Sequence, residues 1–370
     1  MTEADTIQLL RDRLTRHPGP VLSVYLSTNN AIPENQKGGY LLRLKEGLKN
    51  SGVPKALARR VLEAVEGERP KARTMILFAD EDDLFEAYRL QIDLPESIRW
   101  GDPFVAPLFM ALDEYERYGV VLLDGEKFRF FVASLGDIEE PLDASNPVVT
   151  SDWRELTISP SSQTPRGGAD RDSFDDRVEE HVHRFYNEMG ETTRKLIGQH
   201  NIRRLILAGP RERTAGFRRT LPQDVEKRVV ADASIPTDAS ESEVLERLSQ
   251  LREQIEREHE ERMLDEAREK GVRGLDATLS ALQEGQLYVL LMPWPVEGEV
   301  RWDDATGMAV TDLSRERSPY SGGPTRVRPL ADVLLELAEK RGARVEFVRG
   351  EAAEEVLRGE FGGLAGLRRF

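Results

Sequence analysis

Residues 203–228 form a strongly basic segment that could bind a polyanion. They include eight basic residues against three acidic ones, a local balance of +5 in a chain whose formal charge is −15. An arginine side chain can bind a phosphate group through two parallel hydrogen bonds, which makes such a cluster suited to RNA. A solvated helix face would have the same composition, and the sequence leaves both interpretations open. The candidate RNA contacts are Arg203, Arg204, Arg211, Arg213, Arg218 and Arg219, of which Arg211 and Arg213 directly follow a Gly-Pro turn.

A second group of chemically active side chains lies just before this segment. It combines His181, His183 and Tyr186 with the carboxylates Asp175, Asp176, Glu179 and Glu180. A metal-dependent nuclease usually draws its carboxylates from separate strands and helices to surround two metal ions. Here the acids fall in the first turns of one predicted helix, where they complement the helix dipole. The two histidines are also spaced so that they do not share a helical face. We therefore expect neither a metal site nor a nuclease centre.

The composition excludes several other kinds of chemistry. The chain has no cysteine, which removes disulfides, thiolate zinc sites and a cysteine nucleophile. Its net charge argues against indiscriminate binding to phosphate backbones. No apolar run approaches the roughly 18 residues of a membrane span, and the first residues lack the apolar core of a signal peptide. We therefore expect a cytoplasmic monomer that makes no membrane contact and carries no cofactor.

The elements that must position these residues form three predicted domains, covering residues 1–116, 117–236 and 237–370. In the first, we predict a helix over 2–15, a strand over 21–27, a helical stretch over 39–66, and strands over 74–79 and 84–90. In the second, strands over 119–123 and 127–133 flank an Asp-Gly turn and indicate a hairpin. A polar stretch over 137–172 follows, without a convincing helix. Alternating strands and helices of this kind predict the α/β class, with a mixed sheet covered by helices.

Later in the second domain, Ser173 is the predicted cap of a helix over 174–199. A buried strand over 203–208 follows, then a helix and a short strand within 217–230. Phe217 is interpreted either as a core anchor or as a surface on which a base stacks. The third domain begins with a Ser-x-x-Glu capping box at Ser240 and Glu243. We expect the helix that follows to pack on its own domain. Further helices are predicted over 275–282 and 330–340, with strands over 287–292, 344–348 and 364–370. Residues 293–329 are interpreted as an irregular, exposed excursion.

Several segments, in the same order along the chain, resemble the bacterial relatives of the archaeo-eukaryotic release factor and Pelota superfamily. The opening strand V-L-S-V-Y-L-S-T, the junction P-L-F-M-A-L-D-E-Y and the strand R-L-I-L-A-G-P are typical of these proteins. The resembling segments are residues 21–28, 107–115, 118–125, 204–210, 221–222, 274–285 and 362–370. Each segment alone is a weak signal, but the ordered set is fairly specific and covers nearly the whole chain.

The resemblance implies an arrangement of three domains on the ribosome. The first domain would lie toward the decoding centre, and the second, with an RNase H-like fold, would reach toward the peptidyl-transferase centre. The third would resemble kink-turn RNA-binding ribosomal proteins and would contact a translational GTPase, such as elongation factor Tu, or the stalk base. Balon-like ribosome hibernation factors of this superfamily occupy the A site of idle ribosomes. The implied partners are ribosomal RNA, P-site tRNA and that GTPase.

The resemblance also assigns a role to a glycine pair in the second domain. Release factors of the superfamily hydrolyse the peptidyl-tRNA ester with a Gly-Gly-Gln tip, in which the glycines let the main chain approach the ester. The equivalent loop here reads Arg166, Gly167, Gly168, Ala169, so alanine replaces the glutamine. Ala169 keeps a backbone N–H that could face a developing oxyanion, but it lacks the amide side chain. Without the resemblance, a flexible linker turn is an alternative interpretation of the pair. We expect a loop that probes the peptidyl-transferase centre without cleaving.

Three functions follow from these observations. The first is a noncatalytic ribosome-binding factor that sits in or near the A site and acts in hibernation or rescue. The second is a release or rescue factor that hydrolyses peptidyl-tRNA despite Ala169. The third is a stress-related RNA-binding protein or nuclease that acts without the ribosome. Related zinc-binding members have cysteine pairs in the excursion of the third domain, where this chain has Trp302, Asp303 and Asp304, so we expect no zinc.

Overall fold

The computed structural model describes residues 3–36, 38–67, 71–145 and 169–369. Contacts between residues divide the chain into two compact units. One contains Met1–Tyr115 together with Glu256–Phe370, and the other contains Glu116–Ile255. Helices and sheets occur in both units, which confirms the predicted α/β class. The division into three domains with boundaries after residues 116 and 236 stays a prediction.

The N-terminal part of the first unit is a four-stranded antiparallel sheet covered by helices. In chain order its elements are α1 (Glu3–Thr15), β1 (Val21–Ser27), α2 (Gly39–Ser51), α3 (Lys55–Glu66), β2 (Thr74–Ala79), β3 (Phe85–Leu90), β4 (Ser97–Gly101) and α4 (Ala106–Glu114). The strand order is β3-β2-β1-β4. Side chains of β1 and β2 are buried on both faces of the sheet, so β1 does not show the polar face that its alternating sequence suggests.

One predicted helix of this part is divided in two. The helical stretch expected over 39–66 breaks after Ser51, where Gly52 has a φ of 78° and Pro54 precedes α3. A left-handed glycine followed by proline ends a helix because neither residue favours continuation. Strand β4 and helix α4 were not predicted, although α4 contains part of the resembling junction at 107–115.

The second unit is built on a five-stranded mixed sheet. Its elements are β5 (Tyr118–Leu123), β6 (Lys127–Ser134), β7 (Asp137–Ser145), α5 (Ala169–Gln199), β8 (Arg204–Ala208), α6 (Arg211–Arg218), α7 (Gln223–Glu226), β9 (Val229–Ala233) and the first half of α8 (Glu241–Lys270). The strand order is β7-β6-β5-β8-β9, and β5, β8 and β9 run parallel. The predicted hairpin of β5 and β6 is confirmed.

Helices cover both faces of this sheet. Side chains of α5, α6 and α7 pack on one face, where Val182, Met189 and Phe217 lie in one buried cluster. On the other face, Val244, Leu248 and Ile255 of α8 pack against the opposite side chains of the strands. The expectation that α8 packs on its own domain was therefore incomplete, because its first half packs on this sheet. Its apolar stripe continues past Ile255 with different partners, because Leu264 and Ala267 belong to another core.

Two expectations for the polar stretch over 137–172 were wrong. Residues Asp137–Ser145 form strand β7, which pairs with β6 along most of its length. Helix α5 already begins at Ala169, so Ser173 lies inside the helix and is not its cap. Residues 146–168, the middle of this stretch, lie outside the part of the chain that the structure describes.

The C-terminal part of the first unit holds two sheets. Its elements after α8 are β10 (Val272–Arg273), α9 (Leu275–Gln283), β11 (Leu287–Pro293), β12 (Glu299–Asp303), β13 (Met308–Val310), β14 (Arg326–Pro329), α10 (Leu330–Arg341), β15 (Arg344–Val348), α11 (Glu351–Glu355), a π-helical turn (Val356–Glu360) and β16 (Ala365–Arg368). The larger sheet has the order β10-β16-β11-β15, with β11 and β15 parallel. The smaller one has the order β13-β12-β14.

The smaller sheet corrects the interpretation of residues 293–329 as an irregular excursion. Val300 and Trp302 alternate along β12 and are 0% and 3% exposed, so one face of this sheet is a packed core.

The predicted capping box is confirmed at the start of α8. Glu243 accepts a hydrogen bond from the backbone N–H of Ser240 at 2.8 Å, and the Ser240 hydroxyl lies 3.4 Å from the backbone nitrogen of Glu243. Within the described residues, no helix has both the length and the apolar character needed to cross a membrane.

Candidate nucleic-acid interface

Helix α6 carries the central part of the basic segment, and a glycine fixes where the helix begins. Strand β8 ends at Ala208, and Gly209 then adopts a φ of 131°. A Cβ atom at this position would lie 2.1 Å from the carbonyl oxygen of Leu123, so a larger residue cannot occupy it. Pro210 is the N-cap residue of α6. The chain therefore turns sharply at the carboxyl end of β8 and places Arg211 beside the end of β5.

The inner face of α6 is anchored by aromatic packing. Phe217 is fully buried and makes edge-to-face contacts with Phe128 and Tyr186, with ring centroids 5.5 Å apart in both pairs. Of the two interpretations of Phe217, the structure supports the core anchor, since a buried ring cannot stack on a base. With this face fixed, the arginines on the other side of α6 are held at the surface.

The free cations of the basic segment are Arg211, Arg219 and Lys227. All three are exposed, and none has a carboxylate within 4 Å among the residues that the structure describes. Lys227 belongs to the basic segment but was not among the six candidate contacts, although its position in the cluster was a signal for it. A guanidinium that is not paired within its own protein remains able to bind a phosphate group.

Arg213 is exposed but is partly held by its own domain. Its guanidinium carbon lies within 3.6 Å of the position that a Cβ of Gly125 would occupy, in the turn between β5 and β6. Arg213 also lies beside the hydroxyl of Tyr186, which donates a hydrogen bond to the carbonyl oxygen of Asp124 at 2.9 Å. Burial raises the pKa of Tyr186 to about 12, against the opposing effect of the Arg213 cation. Tyr186 therefore acts as a neutral donor that ties α5 to this turn.

The same turn is held by the carboxylate of Asp124, which the sequence identifies only as part of the hairpin turn. Asp124 accepts hydrogen bonds from the backbone N–H groups of Glu126 and Lys127, both at 2.7 Å, and from the hydroxyl of Thr237 at 2.8 Å. Partial burial of Asp124 would raise its pKa, but these hydrogen bonds outweigh that effect and lower the pKa below the usual value. The carboxylate is fully engaged, so its role is to shape the turn that supports Arg213.

Three of the six predicted contacts interact with acids of the same compact unit. Arg204 forms an ion pair with Glu116, and each side chain is 11% exposed. Arg218 is paired with Glu226 at 2.9 Å and lies 3.5 Å from Asp232. Arg203 is 57% exposed and lies 3.9 Å from Glu116, which makes it the most accessible of the three. The structure thus places Arg211 and Arg213 on α6 and Arg219 directly after its end, whereas Arg204 is paired in the interior.

Most of the predicted probing loop lies outside the residues that the structure describes. Arg166, Gly167 and Gly168 are outside the described residues, and Ala169 is the first residue of α5. The loop therefore leads directly into a helix of 31 residues whose later turns pack on the sheet. The first turn of a helix has backbone N–H groups without partners inside the helix, and this holds for the N–H of Ala169.

The histidine and carboxylate group of α5 shows ordinary helix-surface contacts where it is described. His183 Nδ1 lies 3.0 Å from the side-chain nitrogen of Asn187, and Glu180 pairs with Arg184 at 3.2 Å. The structure does not describe the side chains of Asp175, Asp176 and Glu179. Across the residues that are described, no group of three or more histidines and carboxylates is placed to hold a metal ion. In the other unit, Asp303 accepts a hydrogen bond from Thr306, and Asp304 pairs with Arg326.

Comparisons with known proteins agree with the resemblance seen in the sequence. Residues 103–253 match the model of bacterial archaeo-eukaryotic release factor family 10. The uncharacterized protein YocB of Bacillus subtilis is 20% identical over 212 residues, which cover 53% of this chain and 79% of YocB.

Several solved structures are also similar. Dom34 of S. cerevisiae, a translation termination-like factor that interacts with Hbs1, is 12% identical, with 81% of this chain and 75% of Dom34 covered and a TM-score of 0.42. A ribosome-bound archaeal Pelota is 12% identical, with 99% and 94% covered and a TM-score of 0.42. The archaeal termination factor aRF1 is 15% identical, with 100% and 99% covered and a TM-score of 0.26. The matched residues 103–253 contain the whole basic segment and the glycine pair, so this part of the chain is similar to bacterial archaeo-eukaryotic release factor family 10.

Proposed function

We propose that this protein is a ribosome-binding translation factor that occupies the A site in hibernation or rescue and does not hydrolyse the peptidyl-tRNA ester. The observation that carries the proposal is the set of exposed, unpaired cations on and after α6, inside the segment that matches the family. The chain as a whole has a formal charge of −15, so this segment is locally positive within a negatively charged protein. The rest of the surface disfavours phosphate, so a favourable encounter with RNA is directed to this face.

The proposed contacts are distributed over the second unit. Arg211, Arg213 and Arg219 would bind phosphates of ribosomal RNA or of P-site tRNA, with the exposed Arg203 as a further candidate. Arg204 and Arg218 are less suited, because their guanidinium groups already pair with the carboxylates of Glu116 and Glu226. Phosphate contacts of this kind fix the position of a protein on RNA without reading its sequence.

The absence of hydrolysis is proposed from the loop sequence. Arg166, Gly167, Gly168 and Ala169 would enter the peptidyl-transferase centre, where the glycines allow the main chain to approach the tRNA end. A glutamine side chain that would select the attacking water is replaced by the methyl group of Ala169. The third predicted domain would supply protein contacts, including a translational GTPase such as elongation factor Tu. The proposal implies a monomer that works in the cytoplasm.

Sedimentation with purified 70S ribosomes at several salt concentrations tests the proposal. The wild-type protein should migrate with ribosomes at low salt, and Arg211→Glu combined with Arg219→Glu should abolish this. Arg194→Glu is a matched control, since Arg194 is also exposed on the second unit but is paired with Asp224 at 2.9 Å. If the wild type does not migrate with ribosomes at low salt, the proposal is wrong.

Hydrolysis is the second candidate, because one observation favours it. The glycine pair is retained, and the N–H of Ala169 at the start of α5 remains available to stabilise an oxyanion. Release of labelled peptide from stalled ribosomes separates the candidates. We expect no release by the wild type, and Ala169→Gln tests for a gain of activity. Release by the wild type above background would replace the noncatalytic proposal with an enzymatic one. Cleavage of naked RNA in the absence of ribosomes would instead favour a ribosome-independent nuclease.

A further inference from the structure

The end of α4 inserts two carboxylates into the C-terminal part of its own unit. Asp113 accepts a hydrogen bond from the backbone N–H of Phe347, in strand β15, at 2.8 Å. Glu114, which is 8% exposed, accepts two hydrogen bonds from one nitrogen of Arg257, at 2.8 and 3.1 Å. Arg349 lies 3.4 Å from the same carboxylate. Two neighbouring residues of the N-terminal part thus contact two separate segments of the C-terminal part.

A buried acid holds the other side of this network. Glu260, 2% exposed, accepts hydrogen bonds from the backbone N–H groups of Arg349 at 3.0 Å and Gly350 at 2.9 Å. It also pairs with Arg257 at 2.6 Å. A Cβ atom at Gly350 would lie 2.8 Å from a carboxylate oxygen of Glu260, so the turn before α11 is packed directly onto the acid. Arg257 is therefore held between two carboxylates that come from different parts of the chain.

The position of Glu114 is unfavourable unless its carboxylate is paired with Arg257 and Arg349. It lies at the C-terminal end of α4, where the helix dipole disfavours a negative charge. It is also almost completely removed from water, and a buried charge is tolerated only when it is paired. A glutamate at the end of a helix could reach solvent if the two parts of the unit separated. Its burial against Arg257 therefore requires the N-terminal and C-terminal parts to stay in contact.

We propose that Asp113, Glu114, Arg257, Glu260 and Arg349 form an ionic latch that binds residues 1–115 to residues 256–370 as one rigid body. The predicted first and third domains then do not move independently of each other. The latch also adjoins, along the chain, both points at which the chain passes to the other unit, after Tyr115 and after Ile255. This inference does not depend on the proposed function.

Two other ion pairs that join the same two parts are more exposed and serve as a contrast; Asp102, in the first of them, also lies 3.8 Å from Arg328. Asp102 lies 3.2 Å from Arg326, with side chains 54% and 48% exposed. Arg16 lies 3.7 Å from Glu339, with Arg16 78% exposed. Exposed pairs contribute little because water screens them and the long side chains lose conformational freedom. The latch should therefore contribute more than these exposed pairs to holding the two parts together. Asp102→Asn is a matched control for Glu114→Gln.

The absence of cysteine allows a direct test with paired spin labels. Leu42→Cys and Leu313→Cys place one label on each part, at side chains that are 69% and 44% exposed. We expect a single narrow distance distribution for the protein without a latch substitution and with Asp102→Asn. Glu114→Gln should broaden it or add a second population. Hydrogen exchange at the amide of Phe347 should become faster by on the order of 100-fold in Glu114→Gln, as expected when a buried pair is broken.

Two results would overturn the latch. One is a broad distribution in the protein without a latch substitution, which would mean that the two parts already move independently. The other is an unchanged distribution and an unchanged exchange rate at Phe347 in Glu114→Gln. If Glu114→Gln does not fold, Arg349→Met is the milder variant, because it removes one partner of Glu114 and leaves the pair with Arg257. It should still increase exchange at Phe347 relative to Asp102→Asn.

Discussion

Replacing Arg211 and Arg219 by glutamine should reduce the salt dependence of ribosome binding by a calculable amount. Both side chains are exposed and have no carboxylate within 4 Å among the described residues, so each is free to contact one phosphate. Each phosphate contact contributes about 0.7 to 0.9 to the slope of the logarithm of affinity against the logarithm of salt concentration. Losing two contacts should therefore lower the slope by about 1.4 to 1.8. Between 50 and 200 mM salt, the wild type should lose about tenfold more affinity than the double variant.

Arg204→Gln provides the matched comparison, because Arg204 belongs to the same basic segment but forms a buried ion pair with Glu116. Removing one partner of a buried pair costs about 3 kcal/mol of folding free energy or more. We therefore expect a lower free energy of unfolding and an unchanged salt slope. The assay is quantitative binding of labelled protein to 70S ribosomes at four salt concentrations, with denaturant unfolding in parallel. An unchanged slope in the double variant, or a slope lowered equally by Arg204→Gln, would refute the assignment of free and engaged arginines.

Three further predictions concern stability. Burial raises the pKa of Asp332 to about 6, so protonated Asp332 stabilises the fold below pH about 4, and this stability is lost as the pH rises to about 6. Asp332→Asn should remove up to about 3 kcal/mol of this pH dependence of the free energy of unfolding. If the wild type and Asp332→Asn lose the same free energy of unfolding between pH 4 and pH 7, the prediction is wrong. Gly209→Ala should destabilise the protein by more than about 3 kcal/mol, because its Cβ would collide with the carbonyl of Leu123. Gly198→Ala is the control: its Cβ meets no atom within 4 Å, so it should stabilise α5 by about 0.5 to 1 kcal/mol. Thermal unfolding of the two variants measures both effects. Ser240→Ala should cost about 1 kcal/mol through loss of the capping box of α8, and an unchanged midpoint of unfolding would show that the cap contributes nothing.

Most of the strands and helices could be predicted because each combines an apolar run with a clear end. Val21–Ser27, Thr74–Ala79 and Arg344–Val348 have the predicted bounds, since proline, glycine or charged turns flank them. Local chemistry also identified the capping box and the hairpin of β5 and β6. These features depend on residues that are close together in the sequence, and local patterns report such interactions reliably.

The errors arose where distant residues decide the structure. Strand β7 is acidic and polar, and it is a strand because β6 offers hydrogen bonds along its length. The smaller sheet looked irregular because its charged residues dominate the composition, although the alternation of Val300 and Trp302 was a usable signal. Helix α8 was assigned to one domain because its apolar spacing does not reveal that its two halves pack in different cores.

The candidate interface was only partly predictable for the same reason. The sequence located the basic segment and the turn that begins α6, but it could not separate free from engaged arginines. Arg204 is removed from the surface by Glu116, which lies far away in the sequence on the segment before β5. Arg211 and Arg219 remain free because no such acid reaches them among the described residues. Charge counting alone therefore overestimates the number of arginines that are free to bind a phosphate.

A cryo-EM map of the wild-type protein bound to 70S ribosomes would show directly where the protein binds. We expect density in the A site, with Gly167 and Gly168 in the peptidyl-transferase centre and Arg211 and Arg219 within hydrogen-bonding distance of RNA phosphates. Density at another ribosomal site, or an A-site position in which α6 faces solvent, would disprove A-site binding through these arginines.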